Sequence, residues 1–415
     1  MRAGTCDRTT RREGIAVHII YVTWVFAESE NEALVGGIQN YICKISKYMQ
    51  MKGHDVTIVV PGKEKKCWNY QGIPVYSVKI PFEEIYRFCH ADGVLIPVFR
   101  EFAFRKALKE ISSKKTIDIV QYAAGNGTGM LHDKRFISVM RASTYARIEA
   151  KGIVPDSEYR RRVLYEKLAA SSFDYIFAPS KSWGNPLSRE IKKQVTIIPT
   201  PYEMEEGMKE DTSVYNRVLK GKKYFLYFGR IDPRKGILTI ARCIEEILAK
   251  HQEYYICFAG FVRYYNGKNL MQLLRQSAGE YKERVIYVGG LRHPQLYPLI
   301  RHAECILMPS LSDNLPNACL EALLLNGIVI GTRGASFDEI YQDGESGYLI
   351  DIDNSVQLAE TIDKVVGMPE REKEKMRCKA KEVLQKYTFR KAGGQLERYY
   401  RWVLRNSSEK RKVRR

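Results

Sequence analysis

Two acidic residues, Asp313 and Glu321, stand eight positions apart where a predicted strand and loop lead into a helix. The apolar run at 305–308 predicts a short buried strand, and residues 317–325 predict a helix that Gly327 ends. The first turn of such a helix presents free N–H groups and the positive end of the helix dipole, which suit a phosphate group. Both carboxylates can accept hydrogen bonds from hydroxyl groups beside such an anion. The alternative interpretation is a capping acid followed by a surface glutamate.

A second predicted junction of strand, turn and helix carries two cations. The strand predicted over residues 224–228 ends in Gly229 and Arg230, and Lys235 lies in the turn that follows. Arginine can grip a phosphate with two parallel hydrogen bonds, and lysine adds a point charge. We therefore expect Arg230 and Lys235 to bind a diphosphate without a metal ion. An exposed loop with two solvated charges is the alternative interpretation.

The first half of the chain begins with the same order of elements. A β-branched and aromatic run over residues 17–25 predicts a buried strand, Gly36 and Gly37 open a helix with apolar residues at helical spacing, and residues 56–60 predict a second strand. Glycines at such a turn let a ligand approach the backbone, although they also suit an ordinary tight turn. Two halves that begin alike predict an α/β protein with two Rossmann-like domains and a ligand cleft between them.

These motifs resemble the signatures of the family 4 retaining glycosyltransferases, the "glycosyl transferases group 1" type. Residues 229–236 match one signature, and the stretch from Asp313 to Glu321 matches the other, although the family usually has glutamate in place of Asp313. The resemblance spans most of residues 14–405 and is loosest between about 65 and 195. It implies the GT-B fold, in which two Rossmann-like domains face each other across a cleft.

The resemblance also implies a reaction, the transfer of a hexose from a nucleotide diphosphate-sugar to an acceptor hydroxyl with retention of configuration, in polysaccharide or glycan biosynthesis. Arg230, Lys235, Asp313 and Glu321 are the expected catalytic residues. The first two would hold the diphosphate, Asp313 the sugar hydroxyls, and Glu321 the ribose. Further residues expected at the donor are Gly36, Gly37, Gly229, Arg292, Asn314, Leu315, Pro316 and Asn317. We expect neither a metal ion nor another cofactor.

The chain departs from the family after the strand predicted at 136–140. The family often has a histidine here that approaches the transferred sugar, whereas this chain has Arg141 and Ser143. We expect these two residues on the acceptor side, and the interpretation of Arg141 as an ordinary surface cation stays open. Asp351 and Asp353 match the Asp-x-Asp metal signature of the other glycosyltransferase fold, GT-A. They end a predicted strand late in the chain, so we interpret them as structural.

The length of 415 residues suits two domains of ordinary size. We predict an acceptor-side domain over 14–203 and a nucleotide-sugar-binding domain over 204–387. A helix over 388–405 is expected to pack back on the first domain, and a basic tail over 406–415 follows.

Charge and cysteine usage narrow the class of protein. The net charge of +19 fits a protein that binds anionic partners, and no nucleic-acid-binding motif accompanies it. The nine cysteines show no CxxC spacing, and no apolar run reaches the length of a membrane span. We therefore expect a cytoplasmic protein that contacts the inner face of the membrane peripherally. Residues 410–415 could touch anionic lipid, and a disordered solubilising tail is the alternative.

The expected partners are a nucleotide diphosphate-sugar and a glycan or lipid-linked saccharide acceptor, with no nucleic acid. Two other function classes stay open. A sugar-nucleotide epimerase of the same fold would need its own acid and base in the cleft. A non-catalytic basic module would bind nucleic acid with a steep dependence on salt.

Overall fold

The computed structural model describes residues 16–30, 32, 36–84, 92–149, 156–204 and 207–413. Its first sheet has eight strands in the order β3-β4-β2-β1-β5-β6-β7-β8, parallel except for the β3–β4 pair. The strands are β1 (His18–Val22), β2 (Asp55–Gly62), β3 (Lys66–Tyr70), β4 (Ile73–Lys79), β5 (Ile119–Ala123), β6 (Ser138–Arg141), β7 (Tyr175–Ala178) and β8 (Thr196–Ile197). Every residue of β1 is buried, as expected where helices cover both faces of a parallel sheet.

The second sheet has six parallel strands in the order β13-β10-β9-β14-β15-β16, and a small hairpin, β11–β12, stands apart from it. These strands are β9 (Lys223–Phe228), β10 (Tyr254–Ala259), β11 (Tyr264–Tyr265), β12 (Lys268–Asn269), β13 (Val285–Gly289), β14 (Ile306–Leu307), β15 (Val329–Thr332) and β16 (Tyr348–Ile350). The prediction of two Rossmann-like α/β domains is confirmed.

Helices cover both faces of each sheet. Those of the first half are α1 (Gly37–Met51), α2 (Asp92–Lys114), α3 (Ala146–Glu149), α4 (Ser157–Ser172) and α5 (Lys181–Ile191). The others are α6 (Ser213–Val218), α7 (Ile237–Lys250), α8 (Leu270–Ser277), α9 (His293–His302), α10 (Asn317–Leu324), α11 (Ser355–Val366), α12 (Glu370–Leu384) and α13 (Gly394–Val413). None of the described helices is both long enough and apolar enough to cross a membrane.

The chain passes between the two sheets twice, and the two crossings touch. The backbone N–H of Tyr202 donates to the carbonyl of Tyr387 (2.8 Å), and the backbone N–H of Phe389 donates to the Glu203 carboxylate (2.7 Å). After the second crossing, α13 packs into the first domain's core, where Tyr400 and Val403 are buried against β1 and β5.

The prediction of a separate basic tail needs correction. The helix that begins at Gly394 continues to Val413, so most of residues 406–415 extends it, while residues 414–415 lie outside the described residues. Lysine and arginine are good helix formers, so a basic run on an established helix does not end it.

Candidate active site

The turn with the two predicted cations is fixed by contacts at the carboxyl end of β9. The carbonyl of Arg230 accepts a hydrogen bond from the Tyr227 hydroxyl (2.5 Å), and the Arg230 Nε lies 3.4 Å from the Asp232 carboxylate. Asp232 also accepts from the backbone N–H of Lys235 (3.2 Å) and so caps the short turn Pro233–Lys235. The Arg230 side chain is 46% exposed, which leaves its guanidinium accessible to a ligand.

Gly236 brings this turn against the loop that carries Asp313. Its φ is +77°, and a Cβ there would lie 1.8 Å from the Pro309 carbonyl oxygen. The backbone N–H of Leu311 donates to the carbonyl of Arg234 (2.8 Å), which joins turn and loop a second time. Only glycine fits this conformation and this spacing.

Lys235 and Asp313 consequently form an ion pair through the Lys235 Nζ and an Asp313 carboxylate oxygen. Their side chains are 27% and 14% exposed. The Asp313 carboxylate also accepts from the backbone N–H of Asn314 (3.1 Å), and the carbonyl of Asp313 accepts from the Ser336 hydroxyl (3.0 Å). A cation and a hydroxyl acceptor thus lie side by side, as a ligand with both phosphate and hydroxyl groups requires.

The N-terminal ends of two helices face each other across the cleft. Helix α10 begins at Asn317, after Pro316 and the buried Leu315. A Cβ on Gly37, the first residue of α1, would lie 3.8 Å from the Asn317 Nδ2. Gly36 has a φ of +90° and open space at its Cβ position, so a ligand can approach its backbone. Two converging helix N-termini attract an anion.

Glu321 is buried one turn further along α10. Its side chain is 8% exposed, and burial raises its pKa above the ordinary value. His293, whose Nε2 lies 3.4 Å from the Glu321 Oε1, opposes that rise in pKa, as do Tyr297, Lys44 and Tyr202. The Oε1 atom makes no hydrogen bond with the described residues, so it can accept one from a ligand hydroxyl.

Gly229 and Arg292 border this region. Gly229 has a φ of +123° and open space at its Cβ position, and a Cβ on Gly260 would lie 1.7 Å from the Gly229 carbonyl oxygen. Arg292 is exposed at the N-cap of α9. The next residue, His293, rather than Arg292, contacts Glu321.

Asn314 joins the two domains. Its Nδ2 donates to the carbonyls of Ala142 (3.2 Å) and Ser143 (2.9 Å), which follow β6 in the first domain. Its Oδ1 accepts from the Ser180 hydroxyl (3.1 Å), also in the first domain. The Asn314 side chain, which we expected to bind the donor, thus forms a contact between the two domains.

Glu339 forms a second bridge between the domains. Its carboxylate accepts hydrogen bonds from the backbone N–H groups of Lys181 (2.6 Å) and Ser182 (2.7 Å), the first two residues of α5. The Ser182 hydroxyl also donates to it (2.6 Å). A carboxylate from the second domain thus caps a helix of the first.

Arg141 is buried, so the interpretation of Arg141 as a surface cation is wrong. Its guanidinium stacks on the Tyr41 ring at 3.7 Å and donates to the hydroxyls of Thr200 (2.8 Å) and Ser143. Burial lowers its pKa. The end of β6 carries it beneath the start of α1, where its side chain orders the cleft wall.

Asp351 and Asp353 fix the turn before α11. The Asp353 carboxylate accepts from the Thr239 hydroxyl (2.7 Å) and pairs with Arg242. Asp351 accepts from the side-chain amide of Gln357 (3.0 Å). Both carboxylates therefore serve local contacts, as expected for a structural pair.

Family models match both halves of the chain. The model described as "Glycosyl transferases group 1" matches residues 209–383, and the model described as "Glycosyltransferase Family 4" matches residues 35–206. The chain belongs to the family 4 glycosyltransferases. The predicted family is therefore confirmed.

Curated relatives of this glycosyltransferase are distant in sequence. The phosphatidylinositol N-acetylglucosaminyltransferase gpi3 subunit of Schizosaccharomyces pombe is 24% identical over 388 residues, 88% of this chain and 77% of the relative. "Uncharacterized glycosyltransferase YqgM" of Bacillus subtilis is 21% identical over 216 residues, which span 52% of this chain and 57% of that protein. The second match thus covers little more than half of the relative.

Solved structures with the same fold match almost the whole glycosyltransferase. Sucrose-phosphate synthase from Thermosynechococcus elongatus aligns with a TM-score of 0.73 at 16% identity, over 94% of this chain and all of that chain. A trehalose-6-phosphate structure from E. coli, bound with UDP-2-fluoro glucose, aligns with a TM-score of 0.69 at 12% identity, over 92% and 99%. The predicted GT-B fold is confirmed, and at such identities the similarity concerns the fold alone.

Sequence reasoning gave no role to several residues around the site of this glycosyltransferase. His293 could have been found from its place at the start of the helix after β13. Ser180 and Glu339 give no local signal, because Glu339 caps a helix residue 157 positions away. Such contacts depend on how the two domains meet.

Proposed function

We propose that this glycosyltransferase moves a sugar from a nucleotide diphosphate-sugar to an acceptor hydroxyl. One observation carries the proposal. The cationic turn at Arg230 and Lys235 lies against the loop of Asp313, and the N-terminus of α10 faces that of α1. Positive potential, free backbone N–H groups and a hydroxyl acceptor therefore converge in one cleft. The donor of a glycosyl transfer has matching anionic and hydroxyl groups.

In this proposal the leaving diphosphate is stabilised by fixed positive groups. Negative charge grows on the leaving phosphate as the sugar–oxygen bond breaks, and oriented cations and N–H groups stabilise that charge. Arg230, Lys235 and the backbone N–H groups of Leu315 and Asn317 supply them. Because these groups belong to the protein, we propose that the reaction needs no metal ion.

The two acids bind hydroxyl groups at opposite ends of the donor. Asp313 accepts from the transferred hexose after Lys235 turns to the phosphate. The Oε1 of Glu321, which makes no hydrogen bond with the described residues, accepts from the ribose. The partial positive charge that develops on the sugar also favours a nearby carboxylate. Retention of configuration is proposed from the family resemblance.

We propose that the acceptor binds on the first-domain side, near the residues that follow β6. Ser143 lies at the domain junction, while the buried Arg141 supports the cleft wall without touching the acceptor. A lipid-linked saccharide fits the net charge of +19 and the phosphatidylinositol in the name of one relative. Such an acceptor would place the protein at the inner face of the membrane, in glycan or cell-surface polysaccharide synthesis.

The test is thermal stabilisation by UDP-, GDP-, ADP- and CDP-sugars, with and without EDTA. We expect one nucleotide to raise the melting temperature whether or not EDTA is present. Arg230→Ala and Glu321→Ala should each weaken donor or transition-state binding by about 2–4 kcal/mol. Arg275→Ala, at an exposed arginine on α8, is the control. Near-normal turnover in both site variants would refute the site, and stabilisation by oligonucleotides alone would favour a binding module.

A further inference from the structure

Helices α2 and α4 lie on the same face of the first sheet. Phe104 and Leu108 of α2 and Ala169 and Ala170 of α4 share one buried cluster with alternate residues of the strands. Helices α1 and α13 cover the opposite face. The outward sides of α2 and α4 therefore form one continuous surface, which we name the α2–α4 face.

The α2–α4 face exposes large apolar side chains in two stripes. Leu164 and Leu168 stand one turn apart on α4 and point the same way, whereas Val94 and Phe102 on α2 lie about 80° apart around the helix axis. The exposed residues are Val94 (41%) and Phe102 (50%) on α2 and Leu164 (52%) and Leu168 (51%) on α4. Several large exposed apolar residues on one face favour a binding surface, whereas single exposed apolar residues do not.

Cations surround these stripes. Exposed basic residues on the two helices are Arg105, Lys106, Lys109, Lys114, Arg160 and Lys167. Two acids of the same helices point inward: Glu101 and Glu166 are buried and accept hydrogen bonds from the backbone N–H groups of Gly129 (3.0 Å) and Asn126 (3.2 Å). Glu110 pairs with Lys65, and Glu158 is exposed in the first turn of α4. Apolar side chains interspersed with cations suit the headgroup region of an anionic bilayer.

The face also reaches the edge of the cleft. Arg100 in α2 donates to the carbonyl of Asn126 (2.6 Å), and Glu166 in α4 accepts from the backbone N–H of Ala146 (2.5 Å). Asn126 and Ala146 lie in the segments that follow the carboxyl ends of β5 and β6. Both helices therefore contact the side of the first domain that faces Asn314.

We propose that the α2–α4 face docks on an anionic lipid bilayer. The apolar stripes enter the boundary between headgroups and acyl chains, and the cations contact lipid phosphates. The cleft then opens beside the headgroups, where a lipid-linked acceptor would present its sugar. That last consequence rests on the proposed function, whereas docking itself does not.

The test is co-sedimentation of the full chain with vesicles of phosphatidylcholine alone or with about one-third phosphatidylglycerol. We expect binding to the anionic vesicles only, weakening as salt rises. Phe102→Ser combined with Leu164→Ser should lower the partition coefficient at least about tenfold, because two large apolar side chains leave the interface. Arg160→Glu should lower it several-fold. Melting temperatures should stay within a few degrees of the parent.

Matched controls lie on the second domain. Val356→Ser removes an exposed apolar residue from α11, and Lys364→Glu reverses an exposed charge on the same helix, so neither should change vesicle binding. Equal binding by the parent and the α2–α4 variants would overturn the proposal in favour of the basic residues 410–415. A change in sedimentation coefficient without a change in vesicle binding would identify the face as a contact between copies. Vesicle binding without stabilisation by any nucleotide-sugar would keep this inference and refute the proposed function.

Discussion

The ammonium group of Lys235 is paired with the carboxylate of Asp313 at the mouth of the cleft. Each charge offsets the other, so neither is fully available while the pair is intact. A donor that places its diphosphate on Lys235 and its sugar on Asp313 must exchange this ion pair for two contacts of its own. Nucleotide affinity and turnover should therefore respond differently when the carboxylate is neutralised.

Asp313→Asn should strengthen binding of the donor's nucleoside diphosphate several-fold, because Lys235 no longer has a competing anion. Turnover should fall about 100-fold, because an amide stabilises a developing positive charge less well than a carboxylate. Calorimetry with the nucleoside diphosphate and initial-rate kinetics measure the two effects. Lys235→Ala is the comparison, since it should weaken both. Weaker nucleotide binding by the asparagine variant would contradict the competition between Asp313 and the diphosphate for Lys235.

Gly236→Ala should prevent correct assembly of the site. The added Cβ would meet the Pro309 carbonyl at 1.8 Å, so the cationic turn and the Asp313 loop would have to separate. We expect a loss of several kcal/mol of unfolding free energy and of donor binding. Gly221→Ala is a matched control, with a φ of +78° and open space at its Cβ position, and should cost about 1 kcal/mol. Urea unfolding measures the unfolding free energy of both variants. Equal losses of unfolding free energy would show that the positive φ, and not the contact with Pro309, causes the destabilisation.

Glu339→Ala should loosen the junction between domains. The variant removes the carboxylate that accepts from the first two N–H groups of α5. This should lower the stability of the first turn of α5 by about 1–2 kcal/mol. Hydrogen exchange at Lys181 and Ser182 should accelerate accordingly. Asp338→Ala, which changes the exposed neighbour, should leave these amides unchanged. Unaltered exchange in Glu339→Ala would mean that the helix end does not depend on the bridge.

Glu101 should make stability depend on pH. Burial raises the pKa of this carboxyl to about 7, against an ordinary value near 4.5, and the adjacent Arg100 only partly opposes the rise. The folded state therefore holds the proton more tightly than the unfolded state. This contribution to stability is complete below about pH 4.5 and is lost as pH rises toward 7.

Glu101→Gln keeps an acceptor for the Gly129 N–H and does not titrate. Relative to the parent, the variant should gain up to roughly 3 kcal/mol between pH 5 and pH 8. Urea unfolding at several pH values measures the gain. A difference that does not change with pH would show that the Glu101 carboxyl titrates normally.

The sequence predicted the parts of the site that are local. Arg230, Lys235, Asp313 and Glu321 lie on strand–turn–helix junctions whose geometry follows from short segments, and the structure brings the first three into neighbouring turns. The sequence could not predict that Asn314 reaches the first domain or that Arg141 is buried under α1, because both contacts depend on how distant segments pack. The sequence predicted that the last helix ends at residue 405 and that a basic tail follows it, whereas the helix continues to Val413 because lysine and arginine are good helix formers.

The burial of α13 in the first domain affects how the chain folds during synthesis. Tyr400, whose hydroxyl donates to Gln121, covers strands made near the beginning of translation. Helix α1 covers only part of that face, and the rest stays exposed while about 200 further residues are added, roughly 10–40 s at usual rates of synthesis. The second domain, continuous in sequence, can fold within this interval. The domain that leaves the ribosome first is therefore completed last. Until then, the exposed apolar face of its sheet is the surface most in need of a chaperone.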